Sequence, residues 1–261
     1  MDLGLKGKVA FVAAASKGIG FAIAKELANE GCLLSICARN NEHLDQALQQ
    51  LPPSTHASIC DVTQTADIQT WIQAAKEELG SPDILVTNSG GPSAGKLTSL
   101  SQKQWQDGFN TVLLNVIEMV DLVFPGMVQK RWGRILHVSS IAANVPIPIL
   151  AVSSTLRAGL NALTKLQAIE LASNGITVNG ILPGPTLTDR QLHLLGLLCQ
   201  EEGISMEEAL ERQAQKVPVG KIASPEEIGT VAAFLCSKQA SYITGVNLLV
   251  DGGDSLVKSK G

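Results

Sequence analysis

The 261-residue chain is 45% hydrophobic and 17% charged, enough apolar residue to bury a sizeable core. Its net charge of −4 argues against nucleic acid as the main partner, no apolar run reaches the length of a membrane span, and Met1-Asp2-Leu3-Gly4 does not begin a signal peptide. The five cysteines are odd in number and scattered, without a Cys-x-x-Cys, and the four histidines show no metal spacing, so the expectation is reduced thiols in a cytoplasmic protein with no metal site.

In chain order, Lys8–Val12 has the length and apolarity of a buried strand. The small-residue turn Ala13-Ala14-Ala15-Ser16-Lys17-Gly18-Ile19-Gly20 follows, and Phe21–Leu27 is apolar at helical spacing, ended by Gly31. Strand, turn and helix in this order open a dinucleotide-binding unit. Gly18 and Gly20 let backbone approach a pyrophosphate, and the helix N-terminus turns free N–H groups and a positive dipole end towards it. The second strand, Leu33–Ala38, ends at Arg39-Asn40. An NAD site places a carboxylate near this strand end for the ribose 2′-hydroxyl, whereas an NADP site places a cation for the 2′-phosphate. Arg39 stands there, with Lys17 as a second candidate, and the predicted cofactor is NADP(H). The alternative is that both are ordinary surface charges; the strand–turn–helix–strand context weighs towards phosphate binding.

His56–Cys60 reads as a third strand with Asp61 at its end, followed by a helix over Asp67–Leu79. Asp83–Thr87 is a fourth strand opening into Asn88-Ser89-Gly90-Gly91-Pro92, and Ser101–Lys130 a long helix with a bend expected at Pro125-Gly126. Arg134–Val138 is a fifth strand ending at Ser139-Ser140, Val152–Ala172 a helix, and Thr177–Leu182 a sixth strand. Ser224-Pro225-Glu226-Glu227 is a capping box with proline at the first helical position, starting a helix to Cys236, and Val246–Val250 is a seventh strand. This alternation predicts an α/β fold: one Rossmann-type, doubly wound, seven-stranded parallel sheet with helices on both faces, a single domain over 1–261. Ligands in such a sheet sit beyond the C-terminal strand ends, where Ser16, Asn88, Ser140 and Pro183 fall.

Over nearly its full length the chain resembles a short-chain dehydrogenase/reductase, closest to the 3-oxoacyl-carrier-protein reductase branch. The resemblance rests on Ser16–Gly20, Asn88-Ser89-Gly90, Gly133-Arg134-Ile135, Ser139-Ser140, Arg157–Leu160, Pro183-Gly184, Pro225-Glu226-Glu227, Tyr242–Gly245 and Asp251-Gly252-Gly253. It implies a homotetramer acting on a small-molecule substrate, with apolar positions Leu113, Val116, Val120, Leu160, Leu163 and Leu166 suited to two-sided burial. It implies cofactor contacts at Ala14, Ser16, Lys17, Gly18, Ile19, Gly20, Arg39, Asn40, Asp61, Val62, Asn88, Gly90, Arg157, Pro183, Gly184 and Thr188. Where the family turn has Thr and Gly this chain has Ala13 and Ala14, and a positive φ at alanine costs about 1–2 kcal/mol.

The family site uses Asn, Ser, Tyr and Lys. Ser140 matches the serine, which holds the substrate oxygen. The tyrosine position, which gives or takes the proton, holds Ser153, and the lysine position, which grips the nicotinamide ribose, holds Arg157. The Asn position falls on Val112, with Asn115 one turn away, and the chain's one tyrosine, Tyr242, lies in the C-terminal motif. The chain also resembles a divergent branch with the same Ser-x-x-x-Arg replacement, including Leu182-Pro183-Gly184 and Thr188-Asp189-Arg190. A serine hydroxyl is far less acidic than a tyrosine's, and Arg157 does not release its proton. Two readings follow: an NADP(H)-dependent oxidoreductase of low or altered activity on a carbonyl or hydroxyl, and a cofactor-binding pseudoenzyme with a sensor or structural role. The segment 186–216, where the family carries its substrate lid, is rich in leucine (187, 192, 194, 195, 197, 198) and has a second capping box at Ser205–Glu208. The leucines suit an acyl-like or otherwise apolar substrate, or packing of the lid itself.

Overall fold

In the computed structural model, which describes residues 1–258, the seven apolar runs pair into one sheet. The strands are β1 Val9–Val12, β2 Leu33–Ala38, β3 His56–Ile59, β4 Ile84–Thr87, β5 Gly133–Val138, β6 Ile176–Pro183 and β7 Asn247–Val250. Their order is β3-β2-β1-β4-β5-β6-β7, and every pairing is parallel. β1, β4, β5 and β6 are buried throughout, as their continuous apolar sequence requires of a sheet covered on both faces, while edge strands β3 and β7 are partly open.

The strand pleat divides the core. Ala10 and Val12 point to one face, packing with Ile23 and Leu27 of α1 (Gly18–Asn29), Leu44 of α2 (Asn41–Leu48) and Ile228 of α9 (Pro225–Leu235). Val9 and Phe11 point to the other, packing with Trp71 of α3 (Thr65–Leu79), with Met119 and Val123 of α5 (Asn115–Lys130), and with Ala168 of α6 (Ala151–Leu171). α1 and α9 come close because Gly229 has no side chain: a Cβ there would lie 2.8 Å from the Ala22 carbonyl oxygen. α9 starts on the expected capping box, the Ser224 N–H donating to the Glu227 carboxylate at 3.0 Å. The second box is half made: Ser205 Oγ accepts from the Glu208 N–H, but the Glu208 carboxylate turns to Arg212.

The expected long helix is divided. α4 (Gln102–Phe109) passes through a π-helical turn at Asn110–Leu114 into α5, which runs unbroken past Pro125, so the irregularity lies N-terminal to the proline. The stretch Gln102–Lys130 is apolar and long enough to cross a membrane by length and composition, contrary to the expectation of no such run. Met119, Val123 and Met127 instead bury it against the sheet. Five of the six apolar positions expected to suit two-sided burial are covered at least in part by the chain itself. Val116 and Leu160 pack on each other within the chain, Leu113 and Leu163 cover that cluster, and Val120 joins the sheet core. Of the six only Leu166 is exposed, beside exposed Ile169 on α6. Three helices were not given bounds in the sequence: α2, α7 (Asp189–Glu202) and α10 (Asp254–Lys258). α7 and α8 (Met206–Lys216) follow β6.

Candidate active site

The chain reverses direction across the sheet between β1 and β4, and the crevice at such a point opens beyond their C-terminal ends. The turn after β1 occupies it. Ala14 takes φ +48°, the left-handed conformation that costs alanine about 1–2 kcal/mol, and Gly18 takes φ +60°. The Asn88 side chain, from the end of β4, donates to the Ala14 carbonyl at 3.1 Å and ties the two strand ends together. Gly20 lies behind this bond: a Cβ there would sit 2.5 Å from Ala14 O and 2.6 Å from Asn88 Nδ2. Gly20 is absent from the cleft lining, and its lack of a side chain lets α1 close on the strand ends.

Lys17 is not free. It pairs with Asp189 at the start of α7 and holds that carboxyl below its usual range. Thr188, the cap of α7, packs over Gly18, where a Cβ would come within 3.3 Å of its methyl group. The N-terminus of α7 is therefore docked on the glycine turn. Asn40 caps α2 by accepting from the His43 N–H, and Asp61 accepts from the Thr63 N–H and hydroxyl. Arg39 is exposed and has no hydrogen bond or acid partner among the described residues.

At the end of β5, Ser140 Oγ accepts from the Ala142 N–H at 3.2 Å, which leaves its hydroxyl hydrogen free to donate. On α6, Ser153 Oγ accepts from Arg157 Nε at 3.2 Å, and Arg157 Nη1 donates to the Val138 carbonyl at 2.9 Å. Arg157 is buried with no carboxylate partner among the described residues. Desolvation, and secondarily the Arg190 charge, lower its pKa to about 10, so it stays charged at neutral pH. Val112 offers no polar group in the π turn. Asn115, just after that turn, has a buried Oδ1 without a partner among the described residues, and it lines a water-sized cavity of about 10 Å³ with Arg157 and Val112.

All the other expected site residues line one cleft of about 1290 Å³. Sequence reasoning missed part of its outer wall. Ile147, Pro148 and Ile149, placed by the Gly95 N–H bond to the Ile149 carbonyl, face Arg190, Leu194, Leu197 and Leu198 of α7. The spacing 190, 194, 197, 198 marks one helical face and was the signal available for Arg190. Leu187 and Leu192 stay outside the cleft and exposed.

The lining suits a phosphorylated dinucleotide. Gly18 at positive φ opens backbone N–H groups at the α1 N-terminus, and Arg39 offers an unpaired cation at the end of β2. Comparison with known proteins agrees with this geometry. The protein-family model described as enoyl-(acyl carrier protein) reductase matches residues 13–255. The chain is 34% identical over 251 residues to the 3-oxoacyl-[acyl-carrier-protein] reductase FabG of Vibrio cholerae serotype O1, covering 96% of this chain and 98% of that protein. Its structure matches L-sorbose reductase from Gluconobacter frateurii, complexed with NADPH and L-sorbose, with a TM-score of 0.93 at 30% identity over 98% of this chain and 99% of that one. It matches a variant of actinorhodin polyketide ketoreductase with NADPH at a TM-score of 0.92 and 31% identity, over 95% and 97% of the two chains.

Proposed function

The chain belongs to the short-chain dehydrogenase/reductase family, and from that premise we propose that it is an NADP(H)-dependent reductase of a small carbonyl compound, working with an altered proton-transfer site. The observation that carries this reading is a single cleft holding both the glycine turn and Ser140 with its free hydroxyl hydrogen. The α1 N-terminus and the turn would hold the pyrophosphate, Arg39 the 2′-phosphate, and Arg157 the ribose beside the nicotinamide. NADPH, when bound, supplies the hydride.

Ser140 donates to the substrate oxygen, where negative charge develops as the carbon is reduced. The product alcohol needs one proton. Ser153 is not acidic enough to give it at neutral pH, and Arg157 keeps its own. The proton therefore comes from water, and Asn115 with its unpartnered Oδ1 is the polar group that would hold one next to Arg157. A positioned general acid is worth about 10²–10⁴-fold, about 3–5 kcal/mol, and this chain forgoes most of that.

One observation favours a second reading. The Ser153–Arg157 bond fills the family's acid–base position with two groups that do not exchange protons near neutrality, as a cofactor-binding pseudoenzyme would allow. The α7–α8 segment serves as the substrate lid in either reading, and exposed Leu166 and Ile169 support the homotetramer. The five unpaired cysteines are in keeping with a cytoplasmic location. Calorimetric titration with NADPH and NADH, followed by NADPH oxidation against a carbonyl panel, tests the proposal. Tighter NADPH binding with turnover supports it, tighter NADH binding defeats the cofactor assignment, and NADPH binding without any turnover selects the pseudoenzyme.

A further inference from the structure

Six lysine and arginine side chains and three carboxylates line the cleft, in a chain whose net charge is −4. Three of the cations are neutralised: Lys17 by Asp189, Lys96 by Glu201 at 3.9 Å, and Lys258 by Asp254. Arg39, Arg157 and Arg190 have no acid within ion-pair distance among the described residues. Arg39 sits at the strand end assigned to the 2′-phosphate, which leaves two guanidinium groups whose charge nothing answers.

Both come near Gly91, close enough for the Arg190 charge to act on Arg157. A Cβ built on Gly91 would lie 3.9 Å from Arg157 Nη2 and 3.9 Å from Arg190 Nε. Arg190 Nε has no partner within the chain, and Arg157 Nη2 carries two hydrogens, one for the ribose assigned to it above and one for a further acceptor. Arg157 spends Nε on Ser153 and Nη1 on the Val138 carbonyl, while Arg190 spends Nη2 on the Pro92 carbonyl at 2.7 Å. Arg157 is 8% exposed and Arg190 is half-buried, so neither charge is well hydrated, and each raises the cost of the other. Two neighbouring, partly desolvated guanidinium groups with free N–H donors make an anion site: a carboxylate between them takes a hydrogen bond from each and removes their repulsion. Beyond them the wall is apolar, with Ile147, Ile149, Leu194 and Leu197.

We propose that Arg157 and Arg190 anchor a carboxylate of the substrate, so that the compound reduced is an oxo acid with an apolar chain rather than a neutral ketone. The inference rests on the reductase reading for the word substrate, but its test reads binding alone. The protein loaded with NADP+, which has no hydride to give, is titrated calorimetrically with 3-oxo acids of increasing chain length and with their methyl esters. Each acid is expected to bind at least tenfold tighter than its ester. Arg190→Gln should lower acid affinity about tenfold and leave ester and NADPH affinities unchanged, and Arg190→Lys should keep part of the preference. Esters binding as tightly as the acids, or no acid binding, overturns the inference. So does Arg190→Gln weakening NADPH and sparing the acids, which would assign the guanidinium to the cofactor's phosphates. If the wild type fails to bind NADPH the reductase reading falls, and the same acid-to-ester ratio, measured without cofactor, still decides this one.

Discussion

Ala14 carries a strain that a single atom explains. At φ +48° its Cβ crowds the backbone, yet Asn88 holds the Ala14 carbonyl and Gly20 leaves no room for the turn to relax towards α1. Ala14→Gly relieves about 1–2 kcal/mol of strain and returns part of it as unfolded-chain entropy. A net gain of about 0.5–1 kcal/mol is expected in urea unfolding at pH 7. A loss would show that the methyl group packs better than it strains. His137 gives the pH dependence. It is fully buried, its Nε2 donates to Gln167 and its Nδ1 accepts from Thr87, and desolvation lowers its pKa from 6.5 to about 4. Below pH 6.5 the unfolded chain binds a proton that the folded one refuses. Stability is therefore full above that pH, falls towards pH 4 and levels off below. Between pH 7 and pH 5 the loss is about 2 kcal/mol, and His137→Gln should flatten that part of the urea-midpoint profile. The need for a left-handed residue at 14 was legible only through the family resemblance, whose turn has glycine where this chain has Ala14. The nearness of Arg157 and Arg190 to Gly91 was not legible, since it depends on how a helix 33 residues further along the chain lands on the loop after β4.

Among the elements, the docking of α7 on the glycine turn has the clearest consequence. The Lys17–Asp189 pair is exposed and worth about 0.2–1 kcal/mol, so Asp189→Asn should leave the urea midpoint nearly unchanged. It also frees a cation and deletes an anion beside the phosphate-binding turn. NADPH is expected to bind two- to fivefold tighter to Asp189→Asn in calorimetric titration; weaker binding would mean that the pair organises the turn rather than competing with the cofactor. All seven strands and most helices were readable from their periodicity, because strands covered on both faces must be apolar throughout. α2 escaped because only Leu44, Ala47 and Leu48 mark its buried side, too few to establish a period. The π turn at 110–114 escaped because apolar spacing on either side of it still reads as helix.

For the whole molecule, alternation of strand and helix was enough to give a doubly wound parallel sheet, while the strand order came from the fold. Topology then gathers Ser16, Asn88, Ser140 and Pro183 at one edge, which is why the cleft could be located before its outer wall. Surface allocation was harder to read. α5 and α6 are apolar on more than one side, and periodicity does not say which stripe meets the chain's own core; the fold packs Val116 and Leu160 on each other. The central claim is that Ser140 polarises the substrate oxygen while Ser153 transfers no proton. Its most direct test is the rate of NADPH oxidation by Ser140→Ala and Ser153→Ala, side by side, on a carbonyl that the wild type reduces. Ser140→Ala should lose about 10²–10³-fold in kcat, as for removal of an oxyanion donor, and Ser153→Ala less than about tenfold. Equal losses in the two variants would make Ser153 a proton-transferring group and contradict the account.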